Sequence, residues 1–121
     1  MQELKEFLTQ EQIKQILEDG GRFISRVRFP VECNLKRFCD VCLIHLRPGQ
    51  EIYVLVYFLP LFHDKYIKAQ MEQKWYVREM LCETCGELMS KDSVVCDKII
   101  PSLQKYFEKL LKRYEHICWQ D

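Results

Sequence analysis

Two CxxC pairs, Cys39-Asp40-Val41-Cys42 and Cys82-Glu83-Thr84-Cys85, constrain what this chain can fold into more than any other feature of it. Two residues between paired thiolates let a tight turn aim both sulfurs at one ion, and a second such turn completes the all-thiolate shell that suits zinc. The fold is therefore expected to bring residues 39–42 against residues 82–85. A shell of four thiolates leaves no coordination position for a substrate water, so the expected cofactor is a structural Zn2+. Iron held by the same four ligands is the alternative metal, and reduced core thiols or a pair of disulfides is the alternative without one.

Composition sets the compartment and the size of the core. With 121 residues, 48% of them hydrophobic, the chain is expected to form a single domain over 1–121, with its zinc-binding core at about 39–89. Eighteen basic and eighteen acidic residues cancel, so bulk charge selects neither nucleic acid nor an anionic surface. The cysteine count of seven is odd, and Met1-Gln2-Glu3-Leu4-Lys5-Glu6 lacks the pattern of a secretory signal; a reducing, intracellular (cytoplasmic) setting is expected. The longest apolar stretch, Ile52 to Phe62, is short for a bilayer and contains Pro60, so no membrane partner is expected.

Local patterns place the remaining elements. Thr9 with Gln12 forms a capping-box start, Ile13, Ile16 and Leu17 recur at helical spacing, and Gly20-Gly21 closes a helix expected over about 10–19. Arg22 to Phe29 alternates and stops at Pro30, as a half-buried strand with a basic outer face would. Pro48-Gly49 marks a tight turn ahead of a strand over Glu51 to Phe58, which is expected to pair as a hairpin with Lys74 to Leu81. The long connection between them holds a possible helical turn over 64–72. From Asp97 to about Cys118, a wide apolar stripe marks the longest helix, with Pro101 in its first turn. The fold class is α+β.

A CxxC turn, a Pro-Gly loop, a hairpin and a second CxxC leading into helix through Gly86-Glu87-Leu88-Met89 is an order that resembles the treble-clef zinc-finger group. The resemblance spans about residues 39–89 and is carried by Cys39, Cys42, Cys82 and Cys85. It implies a treble-clef-like core of zinc knuckle, β-hairpin and helix, flanked here by an N-terminal helix and strand and a long C-terminal helix. It implies no single activity, because the group includes ribosomal proteins, nucleases, transcription factors and interaction modules.

Three functions compete. The first is a non-enzymatic zinc-stabilised binding module, a small regulator or inhibitor acting through a protein partner. Its candidate surface is Leu61, Phe62, His63 and Tyr66 in the long connection, against the alternative that Leu61 and Phe62 fold back onto the hairpin; a homodimer through the C-terminal helix is a related expectation. The second is nucleic-acid binding through Arg22, Arg26, Arg28, Lys36 and Arg37, which with Glu32 and Asp40 give residues 21–42 a local charge of +3. The third is a degenerate HNH-type nuclease, a family that also sets two CxxC pairs around a hairpin. His63-Asp64 is the reverse of that family's frequent Asp-His order, so no catalytic position carries over. Cys33, Cys96 and Cys118 remain as core thiols, with Cys96, His116 and Cys118 as a weaker second metal set, and His45 as a reserve ligand.

Overall fold

The chain's first element forms where its sequence announces a start. In the computed structural model, which describes residues 2–33, 36–61 and 74–118 (backbone only for 2 and 115–118), helix α1 spans Gln2–Phe7 and α2 spans Gln10–Glu18. Thr9 caps α2 in a full capping box: Gln12 N–H donates to Thr9 Oγ1 at 3.2 Å, and Thr9 N–H donates to Gln12 Oε1 at 2.9 Å. Leu4, Ile13 and Ile16 from these two helices, with Leu8 between them, are buried in the common core.

Strand β1 (Arg22–Arg28) follows. A two-stranded ribbon, β2 (Arg37–Phe38) with β3 (His45–Leu46), encloses the first CxxC. The turn after it has Gly49 at φ 81° with Gln50 N–H donating to Arg47 O at 3.1 Å, the geometry for which Pro-Gly is suited. Strand β4 (Glu51–Phe58) and β5 (Trp75–Leu81) pair antiparallel, with a register irregularity between Leu55 and Val56. Helix α3 (Glu83–Met89), strand β6 (Val95–Cys96) and helix α4 (Pro101–Cys118) complete the order. The main sheet runs β5-β4-β1-β6, antiparallel except that β6 lies parallel to β1. Mixed helix and strand in this arrangement is α+β. The two-residue β6 is too short to leave a period in the sequence and was not foreseen.

Both faces of the sheet are covered, and this corrects one expectation. Phe23, Ser25 and Val27 share a face with Ile52, Val54 and Val56, and α4 lies over it: Phe107 meets Phe29 edge-on at 6.3 Å, and Trp75 Nε1 donates to Ser102 Oγ at 3.1 Å. On the opposite face, Ile24 is fully buried and the Arg26 side chain is only 17% exposed. Helix α3 is pressed onto that face so closely that a Cβ at Gly86 would collide with the Tyr53 ring. The expected basic outer face of β1 is therefore partly enclosed: Tyr53 and the segment around Asp97 close on Arg26, Arg22 is half-buried, and Arg28 stays exposed.

The expected display of Leu61 is corrected as well. It ends a single 3₁₀ turn, Leu59–Leu61, that folds onto Gly21, and it is 5% exposed. Phe62, His63, Tyr66 and the possible helical turn over 64–72 lie outside the described residues. Among the described residues, no helix is long and apolar enough to cross a membrane.

Candidate metal centre

The first cysteine pair sits in the turn between β2 and β3. Cys39 N–H donates to Ile44 O at 2.8 Å and Leu43 N–H donates to Cys39 O at 2.9 Å, which winds residues 39–44 into a knuckle. The second pair straddles the entry to α3. Cys82 is its N-cap residue, with Cys85 N–H donating to Cys82 Sγ at 3.4 Å, so the thiol does what a serine or aspartate oxygen does at other helix starts.

Asp40 joins the two pairs. Its N–H donates to Met80 O at 2.9 Å while Met80 N–H donates to its carboxylate Oδ2 at 2.7 Å. This two-bond clip fixes the knuckle to the last turn of β5, two residues before Cys82. The spacer residue of a CxxC motif thus has a positioning role that sequence alone did not reveal.

The four thiols converge as the spacing required. The sulfurs of Cys39, Cys42, Cys82 and Cys85 all lie within 4.8 Å of one another, and Cys42 Sγ is 3.6 Å from Cys82 Sγ. A tetrahedral ion with metal–sulfur bonds of about 2.3 Å separates its ligands by roughly 3.8 Å, so this cluster fits such an ion with small adjustments. Cys39, Cys82 and Cys85 are buried and Cys42 is exposed. All four coordination positions would be filled by protein, and the site would hold structure without presenting an open position to a substrate.

Electrostatics in the cluster is uneven. Burial raises the Cys39 pKa, but N–H groups of Cys42, Cys82 and Val41 and the Cys42 thiol favour its thiolate more strongly, lowering it to about 6. The Cys85 thiol is pushed well up by burial and by crowding from Cys82, Cys39 and Cys42, and Cys82 is raised by burial as well. One thiolate is stabilised chiefly by backbone N–H groups, and a bound cation would favour ionisation of the others.

Other sequence candidates are placed apart from this site. Cys33 is buried, and Cys96 is buried with its thiol donating to Lys98 O at 3.3 Å; burial pushes that thiol's pKa up. The side chains of His116 and Cys118 fall outside those described, and among the described residues the four-cysteine group is the only metal-ligating cluster of three or more. His45 is exposed with its ring 5.4 Å from that of Phe38, an aromatic contact on the ribbon.

The basic candidates are partly engaged. Arg26 is enclosed on several sides: its Nη2 donates to Tyr53 Oη at 2.6 Å, its Nε donates to Asp97 O at 3.1 Å, and Asp97, Glu83 and Glu51 carboxylates stand at 3.7, 3.8 and 3.9 Å. Tyr53 in turn donates to Asp97 Oδ1 at 2.7 Å, and burial with that bond raises its pKa to about 12. Arg28 faces Glu51 at 3.8 Å, and the Arg37 guanidinium lies over the Tyr114 ring at 4.9 Å. Arg22 is half-buried and Lys36 is exposed. Comparison with protein-family models, with curated proteins and with solved structures gave no match.

Proposed function

We propose that this protein is a non-enzymatic, zinc-stabilised binding module, one domain that acts as a small intracellular regulator through a protein partner. The observation that carries the reading is the closed cluster of Cys39, Cys42, Cys82 and Cys85, whose ligand number and spacing suit a structural Zn2+. Knuckle, hairpin and helix-borne second pair follow the order of a treble clef, which supports that likeness over about residues 39–89. Free thiols in this number favour a reducing compartment. The nucleic-acid reading has weaker support, because Arg26 is enclosed by carboxylates and Arg28 and Arg37 are engaged. The nuclease reading depends on His63 and Asp64, outside the described residues, and has no further support.

Elemental analysis of protein purified under reducing conditions should find one zinc per chain. Partners recovered with the protein should survive nuclease treatment and high salt, since apolar contacts resist ions that screen phosphate contacts. Absence of a transition metal, or loss of every partner on nuclease treatment, would overturn the reading.

A further inference from the structure

The four thiols of the cluster differ in access. Cys42 is exposed, whereas Cys39, Cys82 and Cys85 are 0%, 7% and 6% exposed. Cys33 and Cys96 are buried as well, so among the described cysteines Cys42 alone meets solvent. It also has a second thiol within reach. Its Sγ is 3.6 Å from Cys82 Sγ, inside the roughly 3.8 Å that a tetrahedral ion imposes on its ligands. A cysteine that ligates a metal is a thiolate, which is the nucleophilic form. Oxidation follows thiolate character and access together, and Cys42 combines the two.

We propose that Cys42 is a peroxide-modified residue whose oxidation closes a Cys42–Cys82 disulfide and opens the metal centre. This rests on the zinc reading above and adds a regulation to that same site. In the first step the Cys42 thiolate attacks one oxygen of hydrogen peroxide, the O–O bond breaks, hydroxide leaves and Cys42 becomes a sulfenic acid. In the second the Cys82 thiolate attacks the Cys42 sulfur, the S–O bond breaks and a second hydroxide leaves. Two thiolates have then lost two electrons, and the peroxide has gained them. Cys39 and Cys85 remain as two ligands of four, too few for the closed shell.

The backbone chooses Cys82 as the partner. Asp40 N–H donates to Met80 O and Met80 N–H donates to Asp40 Oδ2, and each cysteine of the proposed disulfide lies two residues beyond one end of this clip. Neither hydrogen bond involves a sulfur, so the clip keeps Cys42 and Cys82 opposed through the sulfenic acid stage. Side-chain rotation then has to bring the sulfurs from 3.6 Å to about 2.05 Å. The new bond joins the knuckle to the entry of α3, the same two segments that the ion would join. Oxidation therefore exchanges one cross-link for another and leaves the ribbon fastened.

The test uses the zinc-loaded full chain, with hydrogen peroxide as the probe. A chain that carries no zinc before oxidation would sink the zinc reading and this proposal with it. Peroxide should release the metal to a chromogenic chelator, and mass spectrometry of a non-reduced digest should find residue 42 joined to residue 82. Dimedone added with the peroxide should trap the sulfenic acid at Cys42. A Cys42→His variant, whose imidazole can ligate zinc but forms no sulfenic acid, should keep its metal at least about tenfold longer in peroxide. Should that variant fail to load zinc, the dimedone map of the native chain decides. Zinc retained by the native chain in peroxide would overturn the proposal and leave the zinc reading standing. A disulfide within either CxxC pair, or trapping at a buried cysteine, would overturn the assignment to Cys42 and Cys82. Loss of hydrogen-exchange protection over residues 39–46 in the oxidised chain would overturn the exchange of cross-links.

Discussion

The β2–β3 knuckle and the four-stranded sheet sit side by side yet are held by different means. In the sheet, Phe23, Val27, Ile52, Val54, Val56 and Phe58 are buried under α4, and removal of apolar surface from water supplies the cohesion. The ribbon has two paired positions and leaves Val41, Leu43 and Ile44 in solvent; Leu46 and Cys39 are its anchors in the core. So short a ribbon cannot stand by burial alone. Its shape depends on sulfur convergence and on the Asp40–Met80 clip. Where a chain has few apolar groups to bury, a bound ion would take over the work of a core, as the zinc reading proposes.

The strongest attempt to break this contrast is Cys82→Ser. Serine keeps an N-cap oxygen for α3, so the change isolates the loss of a ligand. Structural zinc contributes on the order of 10 kcal/mol, so the variant should bind no zinc and melt far lower. Amides in residues 39–46 should lose hydrogen-exchange protection first, and those of Val54 and Val56 last. Equal loss in ribbon and sheet would mean that the two regions form one cooperative unit.

Phe107→Ala attacks the other side. It removes a fully buried ring stacked edge-on against Phe29, and should cost about 3–5 kcal/mol in urea unfolding while zinc stoichiometry stays at one per chain. Loss of the metal in this variant would tie the site to the far face of the sheet.

Gly86→Ala probes the seam between the regions. The added methyl would meet the Tyr53 ring, and overpacking of this kind costs about 1–3 kcal/mol. The expected result is a lower melting temperature with weaker zinc retention against a chelator, since α3 carries Cys85.

The smallest effect is an alkaline one. Tyr53 has its pKa raised from 10.0 to about 12 in the folded state, so the neutral phenol is the form that the fold prefers. That contribution is fully present below pH 10 and is lost as pH rises toward 12. Tyr53→Phe should flatten the difference in melting temperature measured across this window. An unchanged slope would remove Tyr53 from the Arg26–Asp97 network as a titrating member.

Much of this arrangement was legible because it follows local rules. The capping box at Thr9, the Pro48-Gly49 turn, the β-branched run of β4 and the CxxC spacing each have a short-range cause, and each appears where the sequence put it. The misses share a different cause. Ile24 alternates as an outward residue but is fully buried where β6 pairs beside it, Leu61 looks like a loop residue but packs at Gly21, and Asp40 looks like a spacer but bonds a strand far along the chain. In each case a distant partner decides the environment, and hydrophobic periodicity records only a residue's own element.

The clip between Asp40 and Met80 bears on how the two cysteine pairs come together. Closing the long stretch from Cys42 to Cys82 is an entropic cost that strand pairing and these two hydrogen bonds meet through the polypeptide itself. If the four thiols hold an ion as proposed, the clip would share with it the task of keeping residues 39–46 against the entry to α3.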